Sequence, residues 1–286
     1  MINNARNLKK RLLGLFPAKT LKENFNEDGN ISDVIEILSG NLTDQAVYNF
    51  VRNHHTITRQ HIYFYNLLRN FNPLSMIDFP FEIFSQSANA GTYEYLILPE
   101  ISYRVVLSNP LEQEEVKFLQ PVMIQIKNQI LTLHFTKLEK NVAPYFDTER
   151  IATKVSQTNS EQEILNTISE FFINAFGLQK LDINRGVKFL WDTDSIDSTK
   201  VQWRRDSSVA TDTMDENLLF KANYRVDYDV LILKPLVKTF FKYIKDDEYF
   251  CTSFDVDPAN GQLNIPRFPK NVNQVKNVIT EILANN

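Results

Sequence analysis

Apolar positions along this chain keep two different rhythms. Between Gly91 and Phe135 they alternate: Ile101, Tyr103, Val105 and Leu107, then Val122, Ile124 and Ile126, then Leu131, Leu133 and Phe135. Successive side chains of extended backbone point to opposite faces, so each set marks one buried face of a strand. With the aromatic run at 92–98, this predicts four strands of an antiparallel sheet, at 92–98, 101–107, 122–127 and 130–135. Asn128-Gln129 separates the last two. Asn suits the left-handed backbone of a two-residue hairpin, but Gln in second place points to a longer turn.

The helical rhythm appears on either side. Leu8, Leu12, Leu15 and Phe16 predict a helix over 6–16, ended by Pro17. Further helices are expected at 32–40, between an N-cap Ser32 and Gly40, after Thr43 through Val47, Phe50 and Val51, and at 57–70 with Ile62, Tyr65 and Leu68 on one side. Residues 72–90, with Pro73 and Pro80, read as a linker, 109–115 as a turn with one helical turn, and 144–159 as a break. Ser160 and Glu163 have capping-box spacing, opening a helix that Gly177 closes. Its Ile164, Leu165, Ile168, Phe171, Phe172 and Phe176 would bury against the sheet. Beyond it, strands are expected at 187–191, 201–205, 218–222, 228–233 and 249–256. A helix opened by Pro235 carries Leu236, Phe240, Phe241 and Ile244, Asn260-Gly261 marks a turn, and a last helix starts near 271.

These elements predict an α+β fold. A small helical domain (1–75) and a linker (76–90) precede a mainly antiparallel sheet domain covered by helices (91–286), with a sub-boundary near 180. The 286 residues leave ample interior for a core. No apolar run approaches the roughly 20 residues of a membrane span. The lone Cys251 excludes an internal disulfide, and the lack of a targeting signal leads us to expect a cytoplasmic protein.

Candidate chemistry is sparse. The seven glycines form no G-x-G and none precedes Lys, which argues against a phosphate-cradling nucleotide loop. No cofactor is implied. Asp192/Asp194, Asp227/Asp229 and Asp255/Asp257 form Asp-x-Asp pairs. On a strand such carboxylates share a face and would offer a divalent cation its oxygen ligands. The same residues also fit turns, where Asp bonds its own backbone. Glu100 with Gln125-Ile-Lys127 resembles the acidic-x-Lys pattern of restriction-like nucleases, but no Asp lies between Asp78 and Asp147 to complete it. His54, His55, His61 and His134 lack nearby cysteines for a structural zinc site. Cys251, between Phe250 and Thr252, reads as a small buried side chain.

Charge is unevenly spread. Residues 1–75 hold nine Lys/Arg against six Asp/Glu, a net +3, and the rest carries −7 of the total −4. Arg6, Lys9, Lys10, Arg11, Lys19 and Lys22 all precede the first acid, Glu23. Such a face neutralises phosphates, meets an acidic partner, or is simply solvated. Trp203-Arg204-Arg205 is a second basic spot, where an indole and guanidinium groups would stack a base or grip phosphate. The expectation is therefore a non-catalytic binding or scaffold subunit of a complex, engaging nucleic acid or an acidic protein partner. A bacterial antiviral defence system would be a natural setting. The alternative is a divalent-metal nuclease or phosphotransfer enzyme using Asp192, Asp194, Asp227 and Asp229.

Overall fold

The computed structural model describes residues 3–108, 111–138, 152–157, 160–205, 207–215 and 218–286. The fold is α+β. Four helices open the chain: α1 (Ala5–Leu13), α2 (Ala18–Phe25), α3 (Ile31–Asn41) and α4 (Asp44–His54). Strands follow as β1 (Gln60–Leu67), β2 (Ile83–Asn89), β3 (Thr92–Ile97), β4 (Glu100–Leu107), β5 (Glu112–Leu119), β6 (Val122–Lys127), β7 (Ile130–Thr136) and β8 (Ala152–Gln157). Then come α5 (Glu161–Phe176), β9 (Leu178–Lys180), α6 (Asn184–Asp192), β10 (Ile196–Arg204), β11 (Val209–Thr213), α7 (Phe220–Asn223) and α8 (Arg225–Leu231). The chain ends with β12 (Leu236–Tyr243), β13 (Ser253–Asp257), β14 (Gln262–Ile265) and α9 (Asn273–Ala284).

The chain forms two compact units that alternate along the sequence. The first comprises Met1–His55, Leu67–Gln129 and Leu133–Leu178, and the second Thr56–Asn66, Ile130–Thr132 and Gln179–Asn286.

In the first unit β2, β3 and β6 pair antiparallel, and β4 lies between β5 and β8 in a separate sheet. The four strands expected at 92–135 all form, but they divide between these sheets. Asn128 and Gln129 take φ +49° and +62°, so the short left-handed turn forms despite its Gln. Ser160 caps α5 with both bonds of the capping box, and Phe171, Phe172 and Phe176 join Phe71 and Phe79 in an aromatic cluster. Leu12, Leu13, Leu21, Val34, Val47 and Val51 are fully buried along the first four helices. Each such side chain contributes roughly 1.5–3 kcal/mol.

In the second unit the strand order is β11, β10, β12, β13, β14, β1, with β9 beside β1. One face of this sheet holds Val201, Phe241, Phe254, Val256, Leu263, Ile62 and Phe64 in a core shared with Val187, Leu190 and Trp191 of α6 and Val275, Val278 and Ile282 of α9. Gly186 permits the close approach of α6 to α9, because a Cβ there would stand 2.0 Å from the Ile282 carbonyl oxygen. Cys251 is buried in this core, and burial pushes its thiol up to about 12.

Several expected elements are corrected. The segment 57–70 is not a helix: residues 60–67 form β1, whose Ile62 and Phe64 alternate with His61 and Tyr63. The expected linker contains a 3₁₀ turn (Pro73–Asp78) and β2. Of the turn and helical turn expected at 109–115, residues 112–115 belong to β5, and β8 lies within the expected break; 109–110, 144–151 and 158–159 fall outside the described residues. Residues 187–191 belong to α6. Val187, Leu190 and Trp191 form its buried stripe while Phe189 is exposed, so the apparent alternation Val187, Phe189, Trp191 was accidental. The strands expected at 218–222 and 228–233 are replaced by α7 and α8. The helix expected after Pro235 is β12, with Phe241 in the core and Phe240 on the other face.

Asp197 ties these elements together. It is 1% exposed at the start of β10. Its carboxylate accepts the Trp191 indole N–H at 3.1 Å and the backbone N–H groups of Ser198, Lys221 and Ala222 at 2.7, 2.9 and 2.9 Å. Replacing Asp197 with Ala strands the Trp191, Ser198 and Lys221 donors in the core, and each buried group left unpaired costs about 1–3 kcal/mol. The expected loss is at least about 3 kcal/mol in urea unfolding; a loss within the usual surface range would remove Asp197 from this role.

In the first unit His134 of β7 is buried, with the His55 ring 5.0 Å away. Burial first, and the His55 charge second, hold its imidazole well below the ordinary 6.5. The folded state therefore refuses a proton that the unfolded chain accepts. Its contribution is complete above about pH 6.5 and is lost as pH falls below that value, at up to about 1.4 kcal/mol per pH unit. Melting curves between pH 5 and 7 check this: His134→Gln should flatten the slope, and an unchanged slope would refute it.

Candidate nucleic-acid interface

The six N-terminal cations are largely engaged within the first unit. Glu36 of α3 pairs with Arg6 at 2.7 Å and with Lys10. The Lys10 hydrogen bond holds the Glu36 carboxyl below its ordinary range, with the Lys10 and Arg6 charges adding to it. Lys9 donates to the Leu42 carbonyl at 2.8 Å and pairs with Asp44 at 3.3 Å. Arg11 is 3% exposed, bonds the Lys117 carbonyl of β5 at 2.6 Å and lies over the Phe118 ring. Lys19 meets Glu23 one turn along α2, whereas half-buried Lys22 has no ion pair among the described residues. The partners of Arg6, Lys9, Lys10 and Arg11 lie on other elements, so the charge gathered in sequence is largely balanced in space.

The second basic spot stands differently. Trp203 turns toward the core of the second unit, and its indole N–H donates to Asp212 of β11 at 2.9 Å. The Arg205 guanidinium sits 4.9 Å over that ring. Strand alternation puts Arg204 on the opposite face with Lys200 and Gln202. On the neighbouring strand Phe240 lies opposite Lys200, and Lys238 lies opposite Gln202. The ammonium groups of Lys200 and Lys238 stand 5.7 and 5.2 Å from the Phe240 centroid. Lys242 continues this face two residues further along β12 and is exposed. Among the described residues, Lys200, Arg204, Lys238 and Lys242 have no ion pair.

The registers carry this row across the sheet, from Thr213 through Lys200, Phe240, Asp255 and Asn264 to His61. Asn264 donates to both Asp255 carboxylate oxygens at 2.7 Å. Beside this row lies a cavity of about 200 Å³, lined by His61, Tyr63, Lys238, Asp255, Asp257 and Asn264 among others. The buried Oδ1 of Asp257 receives no hydrogen bond among the described residues, so this end of the cavity can accept one. A cationic, aromatic strip on β10 and β12 thus passes into a polar, acceptor-rich pocket.

The remaining carboxylate pairs do not converge in this way. Asp192 ends α6, Asp194 follows in a turn at φ +56°, and Asp227 and Asp229 lie on α8, where residues two apart diverge. The strand geometry that a shared cation requires holds only for Asp255 and Asp257. Asp192 accepts the Tyr228 hydroxyl at 3.1 Å, Asp194 pairs with the buried Lys221 at 2.8 Å, and Asp229 pairs with Arg225 at 3.1 Å. The Lys221 bond lowers the Asp194 carboxyl, while burial and Asp192 push the Tyr228 phenol far up. Among the described residues no three His, Cys, Asp or Glu side chains group as a metal site would. Glu100 pairs with Lys117 at 2.7 Å, and Lys127 ends β6 exposed.

Lys238 and Phe240 were hidden from the sequence because their segment carries apolar residues at helical spacing. Arg204 was legible on the face of the expected 201–205 strand opposite Trp203, but Lys200 lay outside that strand and nothing local showed what stood beside it. No protein-family model matches this chain, and no curated protein matches it. No helix among the described residues is long and apolar enough to cross a membrane.

Proposed function

We propose that this protein is a non-catalytic binding subunit that engages nucleic acid through the face of β10 and β12. One observation carries this reading: Lys200, Arg204, Lys238 and Lys242 share that face with no ion pair among the described residues, whereas Arg6, Lys9 and Lys10 are each matched to a carboxylate. Cations without an ion pair are available to neutralise phosphates, and each phosphate so neutralised releases counter-ions condensed on the nucleic acid. Hydrogen-bonding Gln202 and Thr211 lie in the adjoining row. An acidic protein segment would use the same charges, and the experiment separates the two.

The combined Lys200→Ala, Arg204→Ala and Lys238→Ala variant should bind a fluorescent mixed-sequence oligonucleotide at least about tenfold more weakly at low salt. Its slope of log affinity against log salt should be lower by about 2–3. Lys9→Ala with Lys10→Ala should change neither by more than about twofold. If the wild-type chain ignores the oligonucleotide at low salt but captures poly-glutamate, the partner is an acidic protein. If the triple variant binds as the wild type does, the interface lies elsewhere.

A further inference from the structure

We infer that the ligand of this face is single-stranded nucleic acid, with one base stacked on Phe240 and its flanking phosphates held by Lys200 and Lys238. This rests on reading the β10–β12 face as a nucleic-acid interface, and adds which form of nucleic acid it takes.

Phe240 is an apolar ring on the polar side of its sheet. Its neighbours Phe241 and Tyr243 enter the core, but Phe240 does not. It is half-buried and lies between Lys200 on one strand and Lys238 on its own, with both ammonium groups within 6 Å of the ring. A ring in that position does little for the core, and it meets lysine ammonium groups where a core ring would meet apolar side chains. A nucleobase offers a larger flat surface. When it takes the ring, the lysine stems are long enough to swing outward to phosphate.

The geometry favours an open strand over a duplex. Bases in a duplex stack on one another and hide their faces, and a ring flush with a sheet has no reach into a groove. A single strand can splay a base onto such a platform. Neighbouring strands lie about 4.8 Å apart and alternate residues about 6.7 Å apart. Lys200 and Lys238 therefore flank Phe240 at a spacing suited to a backbone crossing β10 and β12, and Arg204 lies further along β10.

The test uses the full chain, a fluorescent single-stranded oligonucleotide and the duplex of the same sequence, with binding followed by anisotropy. Wild type should prefer the single strand by about tenfold. Phe240→Leu should remove most of that preference while leaving duplex binding and the salt slope unchanged, because every cation is kept. Phe240→Tyr should retain it. Should the leucine variant fold poorly, Phe240→Thr carries the same test with a residue suited to a strand. Equal binding of both forms by wild type, or a full preference in Phe240→Leu, would overturn the stacking role and leave the interface reading standing. Absence of binding to either form at low salt would end the interface reading itself.

Discussion

The buried carboxylate of Asp197 is the constraint on which the second unit depends. Four N–H groups converge on it, from an indole at the end of α6, from its own strand and from the first residues of α7. Each of those donors would be costly to bury alone, and one side chain satisfies them together. The bond to Trp191 sets where β10 begins relative to α6. The alternation of β10 then sends Val201 into the core and leaves Lys200, Gln202 and Arg204 on the other side. Close by, Lys221 donates to the Trp191 carbonyl and pairs with Asp194, so a second buried charge is also accounted for. The cationic face is thus a consequence of a core arrangement.

The two groups of cations in this chain differ in what surrounds them. Those of α1 face α3, whose Glu36 takes both Arg6 and Lys10, and Arg11 has become part of the packing against β5. A guanidinium can do this because its planar group bonds a carbonyl and covers an aromatic ring at once. Those of β10 and β12 face one another across a strand pair with an aromatic ring between them, and Asp255 stands beside that ring on the next strand without an ion pair to them among the described residues. Charge density along the chain favours the first group, while charge left unmatched in space favours the second. Only the latter bears on attraction for a polyanion.

Much of the architecture follows from local patterning. Residues 92–107 and 122–135 alternate so regularly that their four strands could be placed, although β5 between them was missed, and Ser160 with Glu163 marked the start of α5 to the residue. The C-terminal helix and the turn at Gly261 were legible for similar reasons, since each rests on a local conformational preference or a single buried face. Four of the failures share a cause. In 57–70, 187–191, 228–233 and 236–244, apolar residues are dense enough to satisfy both periods, and partners distant in sequence decided between them. Ile62 and Phe64 found a core shared with β14, while Val187, Leu190 and Trp191 found α9.

What the amino-acid order determined unaided is therefore the α+β class, the antiparallel strands, the missing glycine-rich nucleotide loop, and the presence of two basic clusters. These depend on backbone preference, period and composition, all properties of short stretches. Which cluster stays unmatched, and that Phe240 stands between two lysines on the polar side of a sheet, was decided by tertiary structure alone. Strand pairing joins residues some forty positions apart, as with Lys200 and Phe240, and Glu36 reaches Arg6 from another helix. Coulombic attraction and ring contacts act across space, so their outcome is set by register and packing, which no local pattern encodes.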